Sequence, residues 1–331
     1  VVGPRAAAWA PVGALAAVVV LDEHDEAHQQ EQAPTWHARD VGVERARRAG
    51  VPCVLTSPCP TLDALGWGRL LEPDRGRERG GWPMVEVVDR RADEPGRATL
   101  ISDPLVRALR TDGRVVCVLN RTGRARLLAC RSCGELARCA VCDASVEQPG
   151  EELRCRRCSA VRPPVCLACG AGSFKNLRAG VARLREELEA LLREPVAALT
   201  ATSDEVPTAR VVVGTEAVLQ RLDAAAVCAF LDLDQELLAP RFRAAEQALA
   251  LLTRGARLVG ASGPPRGGRA AGRLLVQTRL PDHEVVQAAV HADPTRVTEV
   301  ERERRQLLSL PPWSALAQVS GAAAPAFVER L

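Results

Sequence analysis

Short runs of branched apolar residues recur along the chain, and each one stops at polar or turn residues. They read AVVVLDEHD, VPCVLTSP, RVVCVLN, ARVVVGT, VCAFLDLD and RLLVQT, and their composition predicts strands. Between several of them apolar residues return every three or four positions, as in VARLREELEALL and FRAAEQALALL, which predicts helices. Strands alternating with helices predict an α/β fold with parallel sheets and ligand crevices at the carboxyl ends of the strands. The pattern breaks at EPDRGRERGGWP, from Glu72 to Pro83, a charged and glycine-rich stretch that reads as a linker. The expected organisation is an α/β piece over residues 1–71, a linker over 72–98, and a second piece over 99–129 that resumes over 171–300. A cysteine-rich module over 130–170 is inserted into that second piece, and 301–331 opens a further domain that is cut off. No internal repeat stands out beyond the cysteine pairs.

Composition changes this picture chiefly through cysteine. Eight of the twelve cysteines lie between Ala129 and Gly170 in four Cys-x-x-Cys pairs: Cys130/Cys133, Cys139/Cys142, Cys155/Cys158 and Cys166/Cys169. The chain has no basic leader, and its first apolar stretch ends at Asp22, too soon for a membrane span, so a cytoplasmic setting without disulfides is expected. A redox dithiol needs one such pair. Four pairs instead predict two tetrahedral four-cysteine sites for structural zinc, with closed coordination. The middle pairs flank DASVEQPGEELR, where Pro149 and Gly150 signal a turn between two short antiparallel segments. That hairpin predicts nested pairing, with Cys139, Cys142, Cys155 and Cys158 on one ion and Cys130, Cys133, Cys166 and Cys169 on the other. Sequential pairing is the alternative.

Charge is less informative. Forty-four basic and 41 acidic residues give a formal +3, which does not announce a nucleic-acid partner. Nine arginines against five carboxylates between Asn120 and Gly170 serve equally to grip DNA or to neutralise anionic metal–thiolate centres. The one lysine, Lys175, lies in SFKNL, so the chain holds no P-loop. No methionine precedes Met84, from which a missing start is expected. His24, His28 and His37 fit no helical metal-ligand spacing, and Cys53, Cys117 and Cys228 sit in apolar strand runs as ordinary core thiols. Tyrosine is absent and other aromatics are few, which excludes a stacking platform for single strands and leaves arginine on phosphate as the means of gripping DNA.

The order VVGPRAAAW, LDEHD, WHARD, WPMVEVVD, VLNRTGRA, the eight cysteines, LDLDQELLAPRFRAAEQALALLT, LLVQTRLPDH and LPPWSALAQV resembles the back two-thirds of the primosomal protein N′ (PriA) family of replication-restart DNA helicases. The cysteine spacings and the FRAAE segment, Phe242 to Glu246, are its most specific parts. The resemblance implies two RecA-like lobes with a double zinc module inserted in the second, and nested ligand pairing. It also implies forked or single-stranded DNA and other primosome proteins as partners, and ATP with Mg²⁺ as ligands of working members.

This sequence departs from the family at the catalytic positions. The acidic motif Asp-Glu-Glu-His falls on Leu21-Asp22-Glu23-His24, which puts a leucine where Mg²⁺ needs an oxygen ligand; a one-residue gap would restore Asp22. Ser-Ala-Thr-Pro stands as Ser57-Pro58-Cys59-Pro60, Gly-Thr-Glu as Gly180-Val181-Ala182, and Lys-Gly-His as Gln220-Arg221-Leu222. The two arginine-finger positions hold Leu258 and Ala261. RGGRAAGR, Arg266 to Arg273, reads as a solvated loop rather than a shifted finger. An arginine finger is worth about 10³-fold or more in phosphoryl transfer, so these losses together weigh against ATP hydrolysis. The expectation is a degenerate, helicase-like DNA-binding component of the primosome that recognises forks and helps reload replication without unwinding. The alternatives are an active 3′-to-5′ helicase whose P-loop lies upstream, and a zinc-bearing structural adaptor.

Overall fold

The computed structural model describes residues 1–331 apart from 33, 94–98, 121–127, 177–180, 261–271, 318, 320–323 and 331. The N-terminal α/β unit starts with β1 (Val18–Val20), a small hairpin of β2 (Gln29–Gln30) and β3 (Trp36–His37), then α1 (Ala38–Ala49), β4 (Cys53–Leu55) and α2 (Leu62–Trp67). Strand β1 pairs in parallel with β4, and α1 crosses between them, ending at Gly50 in the left-handed conformation that glycine adopts without strain. Helix α2 is capped by the Thr61 side chain, which accepts the Ala64 amide.

The residues expected to be a linker are largely structured. Helix α3 (Arg75–Gly80) begins at the Asp74 cap, and Arg75 donates to the carbonyls of His291 and Ala292. The Trp82 indole donates to the Ala289 carbonyl at 2.6 Å. Met84–Asp89 then forms β5, an edge strand of the large sheet, in register with Arg273–Thr278. The linker reading of 72–98 is therefore corrected. Charged and glycine residues dominate the local signal at 72–81, but β5 and Trp82 are fixed by partners some 200 residues away, which local composition does not encode.

The larger unit continues through α4 (Asp103–Leu109) and β6 (Val115–Val118). It resumes after the cysteine module with α5 (Val181–Leu192), β12 (Val196–Leu199), β13 (Val211–Gly214), α6 (Ala217–Arg221), β14 (Val227–Phe230), α7 (Asp234–Leu237), α8 (Ala244–Gly260), β15 (Arg273–Thr278), α9 (Glu284–His291) and α10 (Thr295–Leu307). Its six strands run all parallel in the order β12-β13-β6-β14-β15-β5. Strands β6, β13 and β14 are buried at every residue, as expected for a parallel sheet covered on both faces and as their unbroken apolar runs require. Helix α8 packs so closely on β14 that a Cβ on Gly255 would lie 2.8 Å from the Phe230 ring. Helix α10 spans the boundary placed at 300/301 and buries Glu301 and Arg305 completely, so that boundary is corrected as well. A last short helix, α11, covers Ala324–Val328.

The cysteine module holds β7 (Leu128–Cys130), β8 (Val146–Glu147), β9 (Leu153–Cys155), β10 (Val161–Arg162) and β11 (Phe174–Asn176). Antiparallel β7 and β11 form its stem, and β8, β9 and β10 make a three-stranded sheet above. It stands where β6 ends, at the carboxyl side of the sheet.

Candidate metal centres

Each Cys-x-x-Cys pair folds as the same tight turn. The amides of Gly134, Asp143, Ser159 and Gly170 donate to the carbonyls of Cys130, Cys139, Cys155 and Cys166 at 2.9–3.1 Å. One residue further on, the amides of those four cysteines donate to the carbonyls of Glu135, Ala144, Ala160 and Ala171 at 2.8 Å. All four residues that follow the second cysteine have positive φ, from 60° to 77°. Glycine takes that conformation without strain, and asparagine-like or small polar residues tolerate it, which accounts for Gly134, Asp143, Ser159 and Gly170. Amides also point at sulfur, with Ser132, Val141 and Arg157 donating to Cys130, Cys139 and Cys155 at 3.3–3.4 Å.

The turns meet in the nested arrangement. Cys130, Cys133, Cys166 and Cys169 form one cluster, and Cys139, Cys142, Cys155 and Cys158 form the other, with ligand atoms within 4.8 Å of one another. Cross-turn sulfur pairs lie 3.6 Å apart in the first and 3.5 Å in the second. A tetrahedral ion with four thiolates at about 2.3 Å needs sulfurs ~3.8 Å apart, so both clusters fit one metal ion each. The hairpin joining the middle turns is β8 and β9, reversed at Gly150 with φ 81°. The second cluster is buried among Leu128, Ala137, Val146 and Leu153, while the first leaves Cys133 and Cys169 exposed.

The module is docked rather than tethered. Ser145 donates its amide to Leu238 at 2.8 Å, Arg279 reaches the Gly134 carbonyl at 3.1 Å, and Arg157 donates to the Arg241 carbonyl at 2.9 Å. Ala129 and Leu136 pack against Leu238. The described arginines of the module mostly engage oxygen: Arg138 pairs with Asp143, Arg156 with Glu147, and Arg162 binds carbonyls. Asp234, just beyond β14, accepts from Thr278 and the Arg279 amide, and burial, helped by Asp232, pushes its carboxyl up to about 7.

The acidic segment after β1 faces the larger unit across a seam formed mainly by α8. Leu21 points into solvent, 66 % exposed. Asp22, with φ 51°, is gripped by both terminal nitrogens of Arg257 at 2.6 Å, and this holds its carboxyl below the usual range. Glu23 is buried with Arg39 and Thr61 inside the N-terminal unit. His24 meets the Ser57 hydroxyl at 2.8 Å, and burial lowers its pKa, leaving the imidazole neutral at pH 7. Cys59 is buried 3.8 Å from Thr253, its thiol pushed up to about 12 by burial, and is an inert core group. Arg221 binds the carbonyls of Thr200 and Asp204. Leu258 is a core residue at 4 % exposure, whereas Gly180, Ala261 and residues 266–271 of the arginine-rich loop lie outside the described residues. Among the described residues His24, His28 and His37 belong to no metal-binding group.

Sequence matching missed the arginines that do cross the seam. Arg257 grips Asp22, Arg254 meets Asp25 at 2.8 Å and also Glu216, and Arg243 meets Asp63 at 2.7 Å. Their spacing, from the residue just before α8 to its last turns, was the available signal. Glu246 of FRAAE accepts the Leu62 amide at 2.9 Å and meets the buried Arg305 at 2.7 Å, so that motif joins α2, α8 and α10. A cavity of about 1080 Å³ lies between the N-terminal unit, the module and the start of α8. Glu23, Asp25, Glu26, Glu31 and Glu246 on its wall offset Arg156, Arg157, Arg241 and Arg243, so it is not a positive channel.

Among the described residues no helix is long and apolar enough to cross a membrane. No family model matches the chain. It is similar to the replication restart protein PriA of Bacillus subtilis, 28 % identical over 97 % of this chain and 43 % of that protein. It is likewise similar to the protein of that name from Synechocystis, 27 % identical over 96 % and 42 %, and to the probable replication restart protein PriA of Mycobacterium tuberculosis, 28 % identical over 98 % and 52 %. The chain spans about half the length of the curated relatives it matches. Agreement with several such proteins along nearly all of its length supports membership of the PriA family of replication restart proteins.

Proposed function

We propose that the chain is part of a cytoplasmic replication restart protein that binds forked or single-stranded DNA and helps other primosome proteins reload the replication machinery. Its two α/β units act as RecA-like lobes, and its module carries two zinc ions, one on Cys130, Cys133, Cys166 and Cys169 and one on Cys139, Cys142, Cys155 and Cys158. When bound, zinc supplies closed structural coordination. The correspondence along nearly the whole chain with proteins named for replication restart, beside the two four-cysteine clusters of this chain, is the observation that carries this reading.

The protein does not hydrolyse ATP in this reading. The Asp22–Arg257 fork supports it, because a carboxylate whose two oxygens are both bound by a guanidinium is not free to ligate Mg²⁺. The solvent-facing Leu21 and the core position of Leu258 support it too. A second reading, an active ATP-dependent helicase, draws on Arg254 and Arg257, which reach across the seam as a finger would.

The test is binding of a forked duplex by the full-length parent over a range of salt. Phosphate contacts release counterions, so affinity is expected to fall steeply and linearly in a plot of log affinity against log salt. Absence of fork binding, with both metals retained, would favour the adaptor instead.

A further inference from the structure

Four of the polar links across the seam form one stripe. Arg243, Gln247, Arg254 and Arg257 are spaced by four, seven and three residues, which returns them to the same side of a helix with 3.6 residues per turn. Their partners, in the same order, are Asp63, Glu26, Asp25 and Asp22. Three of these carboxylates come from the single stretch of chain after β1. Local structure presents them: Asp22 takes a left-handed turn, and Asp25 caps the turn that follows by accepting the Ala27 amide. The apolar contribution from the N-terminal unit is thin. Of residues 1–71, Cys59 alone joins the buried core cluster that contains α8 and the sheet, among the described residues.

The seam is thus closed by charges the protein supplies itself, at pairs that solvent reaches. Asp22 and Arg257 keep 35 % and 54 % of their side-chain surface, Arg254 and Asp25 keep 15 % and 32 %, and Arg243 and Asp63 keep 26 % and 19 %. Salt screens charge pairs of this kind over a Debye length of about 8–10 Å near physiological ionic strength, and less reach remains at higher salt. We propose that Arg243, Arg254 and Arg257 clasp the two α/β units together without any bound ligand, so that ionic strength sets how readily the units part. The clasp goes beyond the functional reading above and stands whether or not the protein turns over ATP.

The Leu62 amide reports on it, because its acceptor, Glu246, lies across the seam. Hydrogen exchange of residues 61–67 and 22–26 is measured on the whole chain with its metals, without nucleotide, at low and high salt. The same is done for Asp22→Asn, Arg257→Gln, the double variant, and the charge swap Asp22→Arg with Arg257→Asp. The clasp predicts exchange at 61–67 that speeds up several-fold with salt, and up to about fivefold in each single variant. The double variant should exchange no faster than the faster single, and the swap should recover part of the protection. Far-ultraviolet circular dichroism and metal content confirm that each variant is folded. Exchange unchanged by salt and by both single variants, or effects that add in the double variant, would overturn the proposal.

Discussion

In the cysteine module each set of four ligands comes from within about forty residues, whereas at the seam Arg257 and Asp22 are 235 residues apart and Arg243 and Asp63 are 180. The module gathers soft sulfur ligands into two sets of four that can each hold one ion, one of them buried in its own apolar cluster. The seam gathers arginines and carboxylates that keep part of their hydration. The first kind of joint is expected to resist salt and yield to a chelator; the second, the reverse. On this proposal one chain contains a part that metal keeps folded as a unit and a part that salt loosens.

The comparison breaks first if the metals do not hold the module. A structural zinc held by four cysteines would supply about 10 kcal/mol or more of apparent binding free energy at pH 7. Chelation should therefore abolish exchange protection over 128–176 while the six-stranded sheet stays protected. Single ligands sharpen it further. Cys155→Ser should lose one ion and unfold the module more than Cys130→Ser, whose cluster already has two exposed cysteines. Cys155→Ser with Cys130→Ser should lose both ions, and Cys139→Ser with Cys155→Ser only one. Loss of two ions from the latter pair, by metal analysis, would refute nested pairing.

At the seam the expected effects are smaller. Glu246→Ala leaves the Leu62 amide without its acceptor and removes one partner of the fully buried Arg305, so it should cost about 3 kcal/mol in denaturant unfolding. Arg257→Gln removes a half-exposed pair and should cost about 1 kcal/mol or less, an effect that shrinks as salt rises. Acid separates the two joints. Asp22 is held below its usual value of 3.8 mainly by the Arg257 hydrogen bond; burial would raise Asp25, but the Ala27 amide and Arg254 outweigh it. Folded-state values below the unfolded ones mean that their stabilisation is complete above about pH 4 and is lost as pH falls below it. Thiolate protonation releases metal at higher pH, so metal loss should precede opening of the seam in an acid titration followed by metal release and exchange.

The sequence displayed what depends on local pattern. The strands β6, β13, β14 and β15, the helices α5 and α8, and the β8–β9 hairpin follow from apolar periodicity and one Pro-Gly turn. The cysteine clusters were legible because metal chemistry fixes both residue type and spacing. Strand β5 was hidden because the charged run before it dominates composition, and only pairing with β15 explains it. The seam was hidden for the same reason. Matching motifs by register directed attention to Leu258, which packs into the core, and away from its neighbour Arg257, whose direction on the helix decides that it crosses to Asp22.

The central proposal is that this chain, similar to PriA proteins, belongs to a protein that grips forked DNA without hydrolysing ATP. Phosphate release by the full-length parent, with and without a forked duplex it demonstrably binds, tests that claim most directly. The account predicts no DNA-stimulated release above background at any ATP concentration used, in the unmodified protein. Release stimulated by the fork would contradict it and establish the active helicase instead.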